Sequence, residues 1–293
     1  MDPMEFQGPA SVTSGRLVAS DGTRISWWWT HASTQATASG TPVATLLVHH
    51  GFAEHSGRYA HLVAAMSEVG VDVVLFDARG HGASGGRRGH VDRFTDYDAD
   101  LRQMIAHVTT QSGAQPFLLA HSQGGLVAAH AALKGPLAVR GVVLSNPALA
   151  ANVAVPGWKI AAARTLSRFL PTVALPIGIP AEHISRDSAS VEDYAADPAI
   201  FGSGTTRWGA EFLGAQVAVL AGQPQFAVPL LVMLGSGDRV VDAGVSGRFF
   251  PSVAASEIQI EVFEGFYHEL FNEPLADRLR VFAMLREWLL AHV

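Results

Sequence analysis

A mostly parallel β-sheet with helices on both faces, an α/β fold, is the class this sequence predicts. Short apolar runs of strand length recur at Val43–His49, Val71–Phe76, Phe117–Ala120, Val139–Ser145, Leu230–Leu234 and Ile258–Phe263. Strands buried on both faces read as continuous apolar runs. Segments with apolar residues at helical spacing lie between several of them, which is what parallel neighbours need as crossovers. From about Pro147 to Phe226 the rhythm breaks, and an Ala-, Pro- and Gly-rich stretch shows no clear strand. The reading is therefore a core formed by 1–146 and 227–293, with a helical cap, or lid, inserted at 147–226.

The elements follow in order. Arg16–Ser20 and Thr23–Thr30 alternate around Asp21-Gly22, the pattern of a β-hairpin. A Ser/Thr/Ala-rich loop leads to the first buried strand, which ends before Gly51. Arg58–Val69 predicts a helix with Tyr59, Leu62, Val63 and Met66 on one face. A strand to Phe76, an amphipathic helix over Asp92–Thr110, a strand to Ala120 and a helix over Gly124–Leu133 come next. In the insertion, Trp158, Ala162, Thr165, Leu166 and Phe169 share a helical face, and Val173, Leu175, Ile177 and Ile179 follow. Asp277–His292 is the closing helix.

The bulk numbers bound the function. The chain has 293 residues, 48% of them hydrophobic, a net charge of −6 and no cysteine. That length and composition fill one large core. The acidic balance disfavours nucleic acid and anionic membrane as electrostatic partners. Without cysteine there is no thiol catalysis, disulfide or thiolate metal site. The first residues, MDPMEFQGPASV, lack a signal-peptide pattern, and no run reaches the roughly 18 apolar residues of a spanning helix. The expected setting is cytoplasmic. A mean hydropathy of +0.22 is high for that setting, so apolar surface left for a ligand or lipid is part of the reading.

The chemistry centres on "FLLAHSQGGLVAAH", Phe117–His130, where an apolar strand stops at Ser122 and a helix begins at once. A nucleophilic serine needs a strained strand-to-helix turn with small residues two before and two after it, here Ala120 and Gly124. It also needs a base and an orienting acid, in the chain order serine, acid, histidine. Asp238 follows the strand ending at Leu234, and His268 follows the strand ending at Phe263. Asp242 competes for the acid's role. The oxyanion donors would be the backbone N–H of Gln123, just after the nucleophile, and that of Phe52, in the loop after an earlier strand. His49-His50 also reads as half a metal site, but no partner at ligand spacing accompanies it. Metal and cofactor are therefore both expected to be absent.

Five stretches carry a specific resemblance: "HHGFAEHSGRYAHL" (49–62), "FDARGHGASGGRRGHVDRFTDYDADL" (76–101), "LLAHSQGG" (118–125), "GSGDRVVD" (235–242) and "GFYHELFNEP" (265–274). They resemble the monoacylglycerol lipase and lysophospholipase group of the α/β-hydrolases, and "ISRDSASVEDYAADPAIF" (184–201) resembles that group's cap. By position the resemblance implies Ser122 as nucleophile, Asp238 as acid, His268 as base, and Phe52 and Gln123 as oxyanion donors. Two residues depart from the pattern. Ala120 replaces the commoner Gly, and Phe52 is bulkier than the small residue often found there. Glu54, His55 and Arg58 are expected to fix the loop bearing Phe52, and Asp77, Arg79 and His81 to brace a Gly-rich turn.

The expected activity is hydrolysis of single-chain lipid esters through an acyl-enzyme. A short-chain carboxylesterase and a hydrolase-fold receptor with poor turnover are the alternatives. Trp158, Phe169, Val173 and Leu175 are the candidate lid residues, either packing on the core or facing an acyl chain and a membrane or micelle surface transiently. The sequence leaves the oligomeric state open.

Overall fold

The computed structural model describes residues 11–32, 41–152 and 165–293. Ten strands are set out along them: β1 Ser11–Val18, β2 Arg24–His31, β3 Ala44–His49, β4 Val71–Phe76, β5 Phe117–His121, β6 Val142–Ser145, β7 Ala174–Pro176, β8 Ser203–Thr205, β9 Pro229–Gly235 and β10 Glu257–Phe263. Eight form one sheet in the order β1-β2-β4-β3-β5-β6-β9-β10. The β1–β2 hairpin and the β2–β4 contact are antiparallel. All pairings from β4 through β10 are parallel. The hairpin turns where the sequence predicts, with Gly22 at φ 84° and the Asp21 carboxylate accepting from Thr23 N–H at 2.9 Å.

The helices are α1 Ala60–Ser67, α2 Phe94–Ser112, α3 Gln123–Ala132, α4 Ser188–Ala196, α5 Thr206–Ala221, α6 Ala243–Phe249 and α7 Leu275–Ala291, and residues 165–169 are helical as well. The two-residue period of each strand sends its side chains to opposite faces. On β3, Leu47 joins Leu101 and Met104 of α2, Leu126 of α3 and Val219 of α5. Leu46 and Val48 join Leu62, Val63 and Met66 of α1 and Val281, Phe282 and Leu285 of α7 on the other face. The apolar face read from 58–69 is thus buried, with Tyr59 among it.

Two expectations about the elements change. The strand expected from Val139 begins only at Val142, because Val139 N–H and Arg140 N–H bond the carbonyls of Leu137 and Pro116 before Gly141 slips under Trp288. The 147–226 segment also contains strand: β7 and β8 pair antiparallel, Leu175 opposite Gly204. Three-residue strands rich in Pro, Gly and Ser carry no period-2 signal long enough to read.

Candidate active site

In a parallel sheet every strand delivers the loop that follows it to one edge, and this is where α/β sheets place their ligands. Here that edge collects Phe52 after β3, Ser122 after β5, Asn146 after β6, Asp238 after β9 and His268 after β10. Ser122 lies between β5 and α3 with φ 50° and ψ −115°. Few side-chain-bearing residues occupy that region. The turn is tight enough that a Cβ on Gly124 would sit 2.5 Å from the His49 carbonyl oxygen. Ala120 fits fully buried in β5, so the extra methyl does not open the turn.

The structure places Asp238, His268 and Ser122 in one chain of contacts. His268 Nδ1 is 2.7 Å from Asp238 Oδ2, and His268 Nε2 is 2.9 Å from Ser122 Oγ. The second Asp238 oxygen accepts from Val240 N–H at 2.7 Å and Val241 N–H at 2.9 Å, which fixes the carboxylate plane. Burial alone would lower the His268 pKa. The Asp238 charge and hydrogen bond, with help from Glu269 and Glu54, outweigh it and hold the imidazole above its ordinary 6.5. Asp242 takes a different part: its carboxylate accepts from Val245 N–H at 3.0 Å and caps α6.

Asn146 was not singled out by the sequence reading. Its side-chain amide donates to the carbonyls of Tyr267, at 3.1 Å, and His268, at 2.7 Å, and its oxygen accepts from Gly235 N–H at 2.9 Å. One buried amide therefore ties β6 to both loops that bear Asp238 and His268. The available signal was an Asn-Pro pair ending a strand, since Asn tolerates the φ of 42° found here.

Phe52 and Gln123 flank the serine. Gln123 opens α3, so its N–H has no intrahelical acceptor and shares the positive end of the helix. Phe52 precedes Ala53, which turns the loop at φ 66°. The polar residues around it hold that loop as expected. Glu54 accepts from Gly51 N–H and, at 3.0 Å, from Tyr59 Oη; His55 meets Asp197 at 2.8 Å; Arg58 meets Glu269 at 2.6 Å. Burial, then the nearby Glu269 charge, pushes the Glu54 pKa up to about 7. Asp77 braces the next turn by accepting from Ser56 N–H at 2.8 Å and Ala83 N–H at 2.6 Å, while Arg79 pairs with Asp100. His49 and His50 turn their Nδ1 atoms to the carbonyls of His50 and Gly51, and His50 Nε2 accepts from Ala78 N–H at 2.9 Å.

A cavity of about 490 Å³ opens over Ser122, walled by Phe52, Ile177, Ile179, Trp208, Phe212 and Val241 among others. A pocket of about 40 Å³ lies on the other side of the serine, beside Glu54, His121, Tyr194, His268 and Glu269. Three of the candidate lid residues are elsewhere. Phe169, Val173 and Leu175 are exposed, and none of them lines the cavity. The β7–β8 pairing leaves Leu175 facing solvent, and the chain reaches the cavity only beyond that pairing, at Ile177 and Ile179. Trp158 lies outside the described residues. The α5 residues Trp208 and Phe212 form the wall that the sequence reading did not name.

Four outcomes test this geometry. A His268 base is active when neutral, so the acid limb of kcat/KM lies above pH 6.5. Asp238→Asn removes the largest influence raising that pKa, so the limb moves to lower pH while kcat falls by about 10⁴, as in the serine-protease triad when the imidazole tautomer is wrong. Asp242→Asn keeps a competent helix cap and changes kcat little. Asn146→Ala deletes three hydrogen bonds. It lowers unfolding free energy in urea by about 3 kcal/mol, at about 1 kcal/mol per bond.

Comparison with known proteins identifies the family. A family described as serine aminopeptidase, S33, matches residues 40–275. The human monoglyceride lipase is 33% identical over 258 residues, 85% of this chain and 83% of that protein. The phospholipase YtpA of Bacillus subtilis is 31% identical over 236 residues, 80% of this chain and 90% of that protein. The crystal structure of the Paleococcus ferrophilus monoacylglycerol lipase superposes with a TM-score of 0.78 at 27% identity, covering 97% of this chain and all of that one. With a mostly parallel sheet, a serine in a strained strand-to-helix turn and a family match over most of its length, the chain belongs to the serine aminopeptidase S33 family of α/β-hydrolases.

Proposed function

We propose that this protein hydrolyses fatty-acyl esters of small alcohols, monoacylglycerols foremost, through a Ser122 acyl-enzyme. The observation that carries the reading is the unbroken Asp238–His268–Ser122 contact chain at the floor of an apolar cavity. His268 Nε2 takes the Ser122 proton as Oγ attacks the carbonyl, and Asp238 holds the Nδ1–H tautomer and stabilises the imidazolium. The N–H groups of Phe52 and Gln123 meet the developing oxyanion. His268 then protonates the leaving alcohol, and water repeats the sequence on the acyl-enzyme. The similarity to a human monoglyceride lipase and a Bacillus subtilis phospholipase supports lipid esters over peptides. So does a wall of Ile, Phe, Trp and Val side chains.

The two cavities sort the substrate. A volume of about 490 Å³ is within the range for small-molecule sites, roughly 300–1,000 Å³, and suits an acyl chain. The 40 Å³ pocket beside Glu54 and Tyr194 has mixed polar and apolar walls and little room. It fits the hydroxyl end of a small alcohol better than a phosphorylated head group, which favours monoacylglycerol over lysophospholipid. In this reading 1–146 and 227–293 are the catalytic core and 147–226 is its cap. The exposed side chains of Phe169, Leu170, Val173 and Leu175 are the part of the cap that meets a lipid aggregate transiently. Among the described residues no helix is long and apolar enough to cross a membrane.

A panel of p-nitrophenyl esters, monoacylglycerols and lysophospholipids tests the proposal. kcat/KM rises by up to about fourfold per added methylene, the equivalent of about 0.8 kcal/mol, until the cavity is full. Ser122→Ala abolishes turnover and fluorophosphonate labelling. An optimum at acetate or butyrate marks a short-chain esterase instead, and binding without turnover marks a receptor. Phe169→Asp combined with Leu175→Asp lowers activity on vesicle-borne monoacylglycerol and leaves p-nitrophenyl butyrate hydrolysis unchanged. Equal rates on vesicles for variant and wild type would remove the proposed lipid contact.

A further inference from the structure

Both proposed oxyanion donors belong to residues whose side chains end on the same indole. The Phe52 ring stacks on Trp208 with centroids 3.8 Å apart and planes 29° from parallel. Trp208 Nε1 donates to Gln123 Oε1 at 2.8 Å. Gln123 is fully buried, so its side-chain oxygen has no water to turn to if the indole leaves. The indole comes from α5, in the segment between β6 and β9, not from the loop after β3 or from α3, which carry the donors. It is seated firmly. Thr205 Oγ1 caps the helix by accepting from Trp208 N–H at 3.2 Å and is 2.8 Å from His90 Nδ1 in the core. Gly204 makes room for the ring, since a Cβ there would lie 2.5 Å from Trp208 Cε3. Phe201 adds an edge contact to Phe52 at 5.4 Å.

We propose that Trp208 is a positioning residue for the oxyanion hole, clamping Phe52 by stacking and Gln123 by hydrogen bonding so that their N–H groups converge on one point. The inference rests on the ester-hydrolase reading above. It makes transition-state stabilisation depend on how the 147–226 segment is seated over the core. It also gives the Phe52 ring a role besides that of its backbone: the bulky residue where the resemblance leads one to expect a small one is the handle that the indole holds. A donor displaced by about 1 Å can cost on the order of 10²-fold in rate, whereas ground-state binding of a short ester barely senses it.

The experiment compares wild type, Trp208→Phe, Trp208→Ala, Gln123→Met and the Trp208→Phe/Gln123→Met double variant on p-nitrophenyl butyrate, with circular dichroism as the folding control. Inhibition by phenylboronic acid, whose tetrahedral serine adduct points an oxygen at the donors, is measured alongside. Trp208→Phe keeps an aromatic face but loses the N–H, and is expected to lower kcat about tenfold with KM within about twofold. Boronate affinity should weaken by the same factor. Trp208→Ala is expected to lose about 10²-fold in both. Gln123→Met keeps its backbone N–H and should match Trp208→Phe, and the double variant should fall no further because both changes cut the same link. If Trp208→Ala does not fold, the Phe and Met variants decide the matter alone. Unchanged kcat and boronate affinity with altered KM or chain-length preference would reduce Trp208 to a cavity wall and overturn the proposal. A wild-type protein that neither turns over esters nor binds the boronate would instead sink the hydrolase reading, and this inference with it.

Discussion

Ser122 holds φ 50° and ψ −115°, and three backbone hydrogen bonds keep it there. Its N–H donates to the Ser145 carbonyl of β6, and its own carbonyl accepts from Ala148 N–H and Leu126 N–H. Such a conformation costs of order 1–3 kcal/mol and persists only where the surroundings over-determine it. Here the parallel β5–β6 ladder, the first turn of α3 and the chain leaving β6 all grip the same residue. The strain lifts Oγ off the sheet edge toward His268. It also makes Gly124 indispensable, because the turn brings the His49 and His50 carbonyls against its α-carbon.

Electrostatics around the serine divide by side. Toward β9 and β10, the Asp238 carboxylate is satisfied by two backbone N–H groups and one imidazole, and His268 is held above its ordinary pKa. Toward α1, Glu54, Glu269 and Arg58 share a buried region where one cation faces two carboxyls. Burial first, and the Glu269 charge second, raise the Glu54 pKa to about 7. His121 sits between, with ring centroids 4.7 Å from His268. Burial, followed by the charge on His268, keeps its pKa well below the ordinary value, and its Nδ1 faces the Ser145 carbonyl at 3.1 Å. A neutral His121 spares His268 a second positive charge when the imidazolium forms.

The segment between β6 and β9 is joined to this machinery in two ways. Ile177 and Ile179 wall the cavity from above, and Trp208 reaches down to Phe52 and Gln123. The cavity wall and the contacts to Phe52 and Gln123 therefore come from one segment. The same element leaves Phe169, Leu170, Val173 and Leu175 exposed. The apolar surface anticipated from the mean hydropathy of +0.22 is partly the cavity and partly this outer face.

The sequence by itself determined the β–α alternation, the placement of Ser122, Asp238 and His268 at strand ends and the hairpin at Asp21-Gly22. These are local signals: a strand declares itself by an apolar run, a tight turn by its small residues, and chain order survives folding. What the sequence did not decide was long-range. The choice of Asp238 over Asp242, four residues apart, depends on which carboxylate β9 and β10 bring to the imidazole and which caps α6. Asn146 gains its partners only where three strands end together. In the run Val173, Leu175, Ile177 and Ile179, alternation alone cannot say which members face the serine; Val173 and Leu175, before and within the short β7–β8 pairing, stay exposed, and Ile177 and Ile179, beyond it, line the cavity. Trp208, in a helix capped by an ordinary threonine, has no sequence mark of its site at all. Its hydrogen bond crosses 85 positions to Gln123, and contacts of that span exist only once the sheet has set both ends in place.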